Sequence, residues 1–301
     1  MARDRPRLAI ALPVYNGSRF LEQTVRSLLG QTFADFELII GDNASTDRTA
    51  EIAQGLAASD ERISYVRNER NLGLVGNYNA LFQSTSAELF KWAPADDTYE
   101  PSYLERCVAA LDADPRAVLA YSRTRFVDEE GRPLEITDPG WDLRSERAWE
   151  RLLYAIQASH WVNSIMGVIR REALARTRLM PRYSGGDYVL LGELSLLGTF
   201  IEAPETLFLR RIHPEASSQI CIDAERLRQY VRGPGKGPSW PTWQRTFGHL
   251  ATIATGPLGY GKRGRLLVGL ARSSVDRAPA LRQELVGMMR WLLRRRSAPA
   301  A

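Results

Sequence analysis

Residues 8–14 read LAIALPV, and the polar turn YNG follows them directly at 15–17. The same arrangement recurs at 36–41, where FELIIG runs into the polar segment DNASTD at 42–47. Continuous apolar runs of this length are typical of strands that are covered on both faces of a sheet. The two segments therefore predict two buried strands, each of which ends in a polar loop.

Three further apolar segments, at 63–67, 89–93 and 118–121, continue the pattern. Amphipathic helical segments lie between them, as expected for right-handed crossovers that join parallel strands. The sequence thus predicts an α/β fold in which helices flank a mostly parallel sheet. Ligands of such sheets bind beyond the carboxyl ends of the strands, where the polar loops of this chain fall.

Two adjacent acids, Asp96 and Asp97, follow the fourth predicted strand. Neighbouring carboxylates repel each other unless a cation neutralises them, and Mg²⁺ and Mn²⁺ accept carboxylate and phosphate oxygens as ligands. The alternative is that the pair only begins the next helix, where Asp is favoured by capping and by the helix dipole. The pair alone leaves both interpretations open.

Five motifs in one order decide the interpretation. They are PVYNG at 13–17, DNASTDRT at 42–49, NLGLVGNYNAL at 71–81, ADD at 95–97 and GGD at 185–187. Together they resemble the family 2 glycosyltransferases over roughly residues 8–215. The resemblance implies a GT-A fold, and it implies transfer of a sugar from a nucleotide-diphosphate donor with inversion at the anomeric carbon.

The resemblance also implies a donor site in the loops that follow the predicted strands. The residues that it assigns to the donor are Pro13, Val14, Tyr15, Asp42, Asn71, Gly73 and Asp96. The Asp42 carboxylate would accept hydrogen bonds from a base or a ribose, and the helix that begins after Gly73 would favour a diphosphate. Asn43 and Asp47 are interpreted as residues that shape their turn.

Three residues match positions that bind the metal or act as the catalytic base in the family. Asp97 matches a metal ligand, and His213 matches the His that joins the metal shell in many members, although a loop His without a ligand is the alternative. The implied cofactor is a divalent cation, Mn²⁺ or Mg²⁺. Asp187 matches the catalytic base; many members read Glu-Asp there, whereas this chain has Gly186 before the Asp.

The implied reaction moves a sugar, with UDP-sugars favoured as donors, to a hydroxyl of a glycan, a lipid-linked or a small-molecule acceptor. Asp187 would take the proton of the attacking hydroxyl, and the metal would offset charge on the departing diphosphate. Such a reaction belongs to cell-envelope, polysaccharide or glycoconjugate biosynthesis. Two alternatives stay open: a sugar nucleotidylyltransferase, and a non-catalytic relative that binds sugar nucleotides.

The acceptor site is less defined by the sequence. His160, Trp161 and Asn163 precede Asp187 and could line an acceptor cleft, because aromatic rings stack on sugar faces. The competing interpretation, which we favour for Trp161, places that ring in the core.

The charge of the chain is divided unevenly along its length. Residues 231–301 carry 13 Lys and Arg against Asp276 and Glu284, a net charge of +11, although the whole chain of 301 residues carries only +5. Residues 1–230 therefore have a net charge of −6. We expect a catalytic domain over 1–230 and a basic helical extension over 231–301.

The basic extension has several possible roles. It could pack on the catalytic domain, contact an anionic membrane through 240–301, or mediate formation of a homo-oligomer; a nucleic-acid partner is not expected, because no recognition motif accompanies the charge. The membrane interpretation places Trp291 and Leu292 inward and Arg290 and 294–296 at the headgroups. Two cysteines and the lack of a long apolar segment favour a cytoplasmic protein, with peripheral contact at the inner face of the plasma membrane.

Overall fold

The fold is described from a computed structural model of the chain. The residues that it describes are 6–141, 143–216, 224–233 and 240–296, without the side chains of 224–226 and 292–296. One of the two cysteines, Cys221, the Gly- and Pro-rich residues 234–239, and the side chains of Leu292 and 294–296 lie outside this set.

Strands of the described residues form one mixed sheet. They are β1 (Leu8–Val14), β2 (Phe36–Asp42), β3 (Ile63–Arg67), β4 (Leu89–Trp92), β5 (Thr98–Tyr99), β6 (Ala117–Val127), β7 (Val168–Arg170) and β8 (Thr199–Arg211). Their order across the sheet is β3-β2-β1-β4-β7-β6-β8-β5. The pairings β3–β2, β2–β1, β1–β4 and β6–β8 are parallel, whereas β4–β7, β7–β6 and β8–β5 are antiparallel.

Helices cover both faces of this sheet. They are α1 (Leu21–Leu29), α2 (Thr49–Ser59), α3 (Leu74–Gln83), α4 (Tyr103–Ala113), α5 (Ala148–Gln157), α6 (Arg171–Ala175), α7 (Gly186–Leu197), α8 (Ala224–Arg232), α9 (Pro241–Thr255), α10 (Tyr260–Asp276) and α11 (Ala278–Arg296). The predicted α/β architecture with a mostly parallel sheet is thus confirmed, and its GT-A type is addressed below with the related structures.

Burial on both faces explains why β1 is a continuous apolar run. Every residue of Leu8–Val14 is buried. Leu8, Ile10 and Leu12 belong to the core beneath α1, α2 and α4, while Ala9 and Ala11 belong to the core beneath α3, α5 and α7. Alternation along the strand sends successive side chains to opposite faces, so neither face tolerates a polar residue.

The structure differs from the sequence prediction around residue 164. The segment SIMGVIR at 164–170 predicts a single strand from the sequence, but Asn163–Met166 form a 3₁₀ helix and only Val168–Arg170 form a strand. Gly167 joins the 3₁₀ helix to the strand. A residue with a Cβ atom would not fit there, because that atom would lie 2.4 Å from the Ala120 carbonyl oxygen. The Met166 carbonyl accepts a hydrogen bond from Tyr103 Oη at 3.0 Å, which ties this turn into the core.

The C-terminal helices pack on the body of the protein. Leu152 and Ile156 of α5 form a buried cluster with Ile253 of α9 and with Leu266 and Leu270 of α10. Packing on the rest of the protein is one of the three roles expected for the basic extension. The predicted domain boundary at 230 stays a prediction, and these contacts cross it. None of the described helices is long and apolar enough to cross a membrane.

Candidate active site

A cavity of about 490 Å³ opens at the carboxyl ends of β1, β2 and β4. The predicted residues on its wall are Pro13, Val14, Tyr15, Asn71, Asp96 and His213. The fold therefore brings together one edge of the predicted donor site and one predicted metal ligand, from segments as far apart as β1 and the end of β8.

Hydrogen bonds join the loop after β1 to the loop after β2 at this edge of the sheet. The Asn16 side chain, on a residue with φ of 52°, accepts a hydrogen bond from the Thr46 N–H at 2.8 Å. Asp47 accepts bonds from the Ser18 and Thr49 N–H groups at 3.1 and 3.0 Å, which agrees with its predicted role in shaping the turn. Held between these loops, the Tyr15 ring remains 46% exposed at the cavity mouth.

A network of asparagine side chains forms the floor of the cavity. The Asn43 amide donates to Asn71 Oδ1 at 2.9 Å and to the Gly73 carbonyl at 3.2 Å. Its oxygen accepts from Asn68 Nδ2 at 3.1 Å and from the Leu72 N–H at 2.9 Å. With 2% of its surface exposed, Asn43 connects the loops after β2 and β3, which is more than the turn-shaping role predicted for it.

Asp42 and Gly73 do not line the cavity. The Asp42 side chain is fully buried and accepts hydrogen bonds from Ser45 N–H, Tyr65 Oη and Arg67 Nη1 at 2.7 to 2.8 Å. Both carboxylate oxygens are thus engaged by the chain itself, and a contact of Asp42 with a base or ribose stays a prediction. Gly73 lies behind the wall, at the N-terminus of α3.

The acid pair lies where β4 ends. Asp97 is 5% exposed and accepts a hydrogen bond from the Arg211 N–H at 2.8 Å. Burial, together with the neighbouring charge of Asp96, raises the pKa of Asp97 from 3.8 to about 8. Asp96 Oδ2 lies 3.0 Å from Nε2 of His213, whose buried Nδ1 has no hydrogen-bond partner among the described residues.

These three side chains have the chemistry that a hard divalent cation requires. Two carboxylates and an imidazole suit Mg²⁺ or Mn²⁺, and a cation relieves the repulsion in an acid pair of which Asp97 is buried. Among the described residues, however, no three His, Cys, Asp or Glu side chains are arranged to hold a metal ion. Mg²⁺ is commonly held by one or two carboxylates together with substrate phosphates, so an incomplete set of protein ligands fits such a site.

A second cavity, of about 640 Å³, lies beside the first. Asp187 lines it, together with His160, Trp161 and Tyr188. The preference for Trp161 as a core residue was wrong, because its ring is only partly buried and forms part of this wall. Asn163 is buried behind the wall and accepts a hydrogen bond from Arg210.

Asp187 lies in the first turn of α7. Gly185 precedes the helix with φ of 81°, a left-handed conformation that glycine adopts without strain, and Asp187 Oδ1 accepts from the Tyr188 N–H at 3.0 Å. Burial raises the pKa of Asp187 above its ordinary range, while that hydrogen bond and the charges of Arg245 and Arg210 offset part of the increase. A carboxylate with a raised pKa is a better proton acceptor, which suits a general base.

Two helices lie between the two cavities. Tyr230 of α8 and Leu74 of α3 line both of them. The C-terminal end of α8 contacts the loop before α3, since a Cβ atom on Gly73 would lie 2.2 Å from Gly233 N. Sequence reasoning did not find Tyr230, and an amphipathic helix next to a Gly-Pro-rich segment offers no local signal for such a role.

The family model described as Glycosyl transferase family 2 matches residues 9–179. The chain belongs to this family. Family membership decides against the nucleotidylyltransferase alternative.

A related protein is the chondroitin synthase of Escherichia coli, which is 26% identical over 221 residues. The aligned part is 73% of this chain but only 31% of that protein. The chain therefore spans about a third of the length of this curated relative.

Solved structures share the GT-A fold with this family 2 chain. S. aureus TarS 1–349 in complex with UDP-GlcNAc has a TM-score of 0.68 at 14% identity, covering 90% of this chain and 73% of that 1–349 chain. The mannosyltransferase PcManGT of Pyrobaculum calidifontis, in complex with GDP-Man and Mn²⁺, has a TM-score of 0.54 at 17% identity, covering 95% and 87%. At these identities the likeness shows the fold.

Proposed function

We propose that the protein transfers a sugar from a nucleoside-diphosphate sugar to an acceptor hydroxyl, with inversion at the anomeric carbon. UDP-sugars are the favoured donors, and cell-envelope, polysaccharide or glycoconjugate biosynthesis is the favoured setting. Support comes from the likeness to a chondroitin synthase and to a TarS structure that contains UDP-GlcNAc.

One observation carries this proposal. The two cavities share Leu74 and Tyr230, and each has acidic chemistry on its wall: Asp96 in the first and Asp187 in the second. A glycosyl transfer needs a site for the leaving diphosphate and a base for the incoming hydroxyl, with the sugar between them. Adjacent cavities with separate carboxylates supply that arrangement.

In the proposed mechanism, the first cavity binds the donor. The exposed Tyr15 ring offers a face for stacking on the base, and the asparagine floor built on Asn43 holds the surrounding loops in place. The N-terminus of α3, near Asn71, favours the diphosphate. The acceptor enters the second cavity, where Asp187 removes the proton of the attacking hydroxyl as the new bond forms.

Asp97 and His213, next to Asp96, would hold the divalent cation of the proposed reaction. When bound, such a cation acts as a Lewis acid that offsets the charge developing on the departing diphosphate. The chain's own contribution is to bury Asp97 beside the partly exposed Asp96: the Arg211 N–H orients Asp97, and the Phe20 ring packs 5.0 Å from the His213 ring.

Thermal unfolding with a panel of nucleotide-sugars, each with and without Mn²⁺, tests the donor proposal. We expect UDP-sugars to raise the melting temperature most, and to need Mn²⁺ for the full effect, because bound ligand stabilises the folded state. Tyr15→Ala should remove the increase, whereas Tyr260→Ala, on a ring that is 92% exposed on α10, should not. No increase with any nucleotide-sugar would contradict the proposal.

We also propose that the C-terminal helices contact an anionic membrane. Large apolar side chains are exposed along α9, α10 and α11: Phe247, Leu250, Tyr260, Leu267, Val268, Val275, Leu285, Val286 and Met289. Exposed cations lie on α10 and α11: Lys262, Arg265, Arg272, Arg282 and Arg290. Exposed apolar side chains combined with basic charge suit the interface of an anionic bilayer.

Vesicle flotation tests the membrane proposal. We expect binding to phosphatidylcholine vesicles that contain phosphatidylglycerol, and no binding to phosphatidylcholine alone. A double change of the most exposed pair, Tyr260→Ser with Val275→Ser, should weaken this binding, while Val66→Ser on β3 should not. Equal binding to both vesicle types, or no binding to either, would reject membrane contact.

A further inference from the structure

The charge of the second cavity is unusual for a site that contains a catalytic carboxylate. Among the described residues on its wall, Asp187 is the one acid, whereas Arg210, Arg245 and Arg277 are three permanent cations. Arg210 comes from β8, but Arg245 comes from α9 and Arg277 directly follows α10. The basic extension therefore contributes two positive charges to the wall of the site.

Neutral groups hold these arginines. The Arg245 guanidinium lies 3.6 Å from the Tyr188 ring centroid and donates to the Ala158 carbonyl at 2.5 Å. Arg277 Nη2 donates to the Ile156 carbonyl at 2.9 Å. Aromatic faces and backbone carbonyls orient a guanidinium but do not neutralise its charge.

Both guanidiniums from the extension keep unused donors. Arg245 Nε and Arg277 Nη1 are buried without a hydrogen-bond partner among the described residues, and neither side chain forms an ion pair there. Burial, with the nearby charge of Arg277, lowers the pKa of Arg245 to about 10, so the group stays protonated at neutral pH. Two desolvated cations that form no ion pair with a carboxylate are costly, and an anionic ligand would relieve that cost.

We propose that the acceptor itself carries an anionic oxygen group, a phosphate or a carboxylate, which binds Arg245 and Arg277 while its hydroxyl faces Asp187. This inference rests on the proposed function, because it assigns the second cavity to the acceptor. The cavity volume of about 640 Å³ is sufficient for a substituted sugar, and the Trp161 ring offers a surface for a sugar face. Arginine binds both kinds of oxyanion through paired N–H groups.

Titration calorimetry on protein saturated with UDP and Mn²⁺ tests the inference, because UDP then occupies the first cavity. The probes are glucose 6-phosphate, glucuronate and glucose. We expect at least one of the two anionic sugars to bind at least about tenfold more tightly than glucose, as a charged hydrogen bond allows. Arg245→Gln and Arg277→Gln should each remove most of that preference without changing the affinity for UDP.

Two sets of variants separate charge from folding. Arg245→Lys and Arg277→Lys keep the charge but lose the planar fork, so they should retain part of the preference. Arg272→Gln removes an exposed arginine of α10 and should retain all of it. Circular dichroism and the melting temperature of each variant show whether α9 and α10 still pack on the protein.

The outcomes separate this inference from the proposed function. Equal affinity for the three sugars, binding of none of them, or a preference that survives both Gln changes would overturn the anionic acceptor. A failure of UDP to bind would instead contradict the proposed donor site. In that case the same titrations without UDP, on Tyr15→Ala protein, still measure the charge preference of the second cavity.

Discussion

Gly73 and Gly233 face each other so closely that a Cβ atom on Gly73 would lie 2.2 Å from the Gly233 nitrogen. Both residues have positive φ, 74° and 85°, which is a conformation that favours glycine. The contact joins the loop that carries Asn71 to the end of α8. A wall of the first cavity thus depends on a residue beyond the predicted domain boundary at 230.

Gly73→Ala should destabilise the protein by at least about 2 kcal/mol, because the new methyl group meets backbone atoms and the backbone conformation is strained for alanine. Urea unfolding measures the change. The matched control is Gly55→Ala, at an interior position of α2 where a Cβ atom meets nothing within 4 Å. That change should raise stability by about 0.5 to 1 kcal/mol. Equal effects of the two changes would refute the close contact.

Asp187→Asn should lower the rate of sugar transfer by at least about 100-fold, because an amide cannot accept the proton of the acceptor hydroxyl. The affinity for UDP should stay unchanged, since Asp187 lines the second cavity and not the first. Transfer assays and UDP titration measure the two effects. As a control, Glu193→Gln on the same helix breaks an ion pair with Arg178 and should cost stability but not transfer.

The pH dependence of transfer follows from the same carboxylate. A base must be deprotonated to act, so kcat should rise with pH as Asp187 loses its proton. Because burial raises the pKa of Asp187, this rise should occur above the range of an ordinary Asp. A kcat profile measured at saturating donor checks this, and a flat profile across the acid range would argue against Asp187 as the base.

Asp97→Asn should have opposite effects on the metal-free and metal-loaded protein. Without metal, a pKa of about 8 leaves Asp97 mostly protonated at pH 7, so the amide should leave the melting temperature equal there and raise it above pH 8, where the wild-type carboxyl is charged beside Asp96. With Mn²⁺ and a UDP-sugar, it should abolish the metal-dependent part of the stabilisation, and EDTA should do the same to the wild type. An unchanged response to Mn²⁺ would remove Asp97 from the proposed metal site.

His249→Leu should stabilise the protein. The His249 side chain is fully buried in α9, and neither ring nitrogen has a hydrogen-bond partner among the described residues. Replacing unpaired polar atoms with an apolar side chain of similar size should add about 1 to 3 kcal/mol. His160→Leu is the control: Nε2 of that ring lies 3.2 Å from Tyr154 Oη, so this change should not stabilise.

The gain from His249→Leu should grow as the pH falls. Burial lowers the pKa of His249 well below 6.5, so the unfolded chain binds a proton that the folded chain refuses. A lowered pKa contributes stability above the unfolded value and loses it as the pH falls below about 6.5. Urea unfolding at pH 7 and pH 5 should show this loss in the wild type and not in the variant.

Local sequence patterns predicted the first half of the fold. The continuous apolar runs at β1 and β2 predict strands buried on both faces, and the structure has them at Leu8–Val14 and Phe36–Asp42. The later elements were less predictable. β5 was not anticipated, and the 3₁₀ turn at Asn163–Met166 is stabilised by contacts with distant residues such as Tyr103, which no local pattern records.

The sequence by itself determined the α/β class, the family and the polar loops at the carboxyl ends of the first strands, because strand periodicity and motif order are local properties of the chain. Only the tertiary structure decided that Asp42 is engaged by its own neighbours, that Trp161 faces a cavity and that Arg245 and Arg277 join Asp187. The reason is physical. The direction of a side chain, and the partner that satisfies it, depend on packing between helices and strands that lie far apart in sequence.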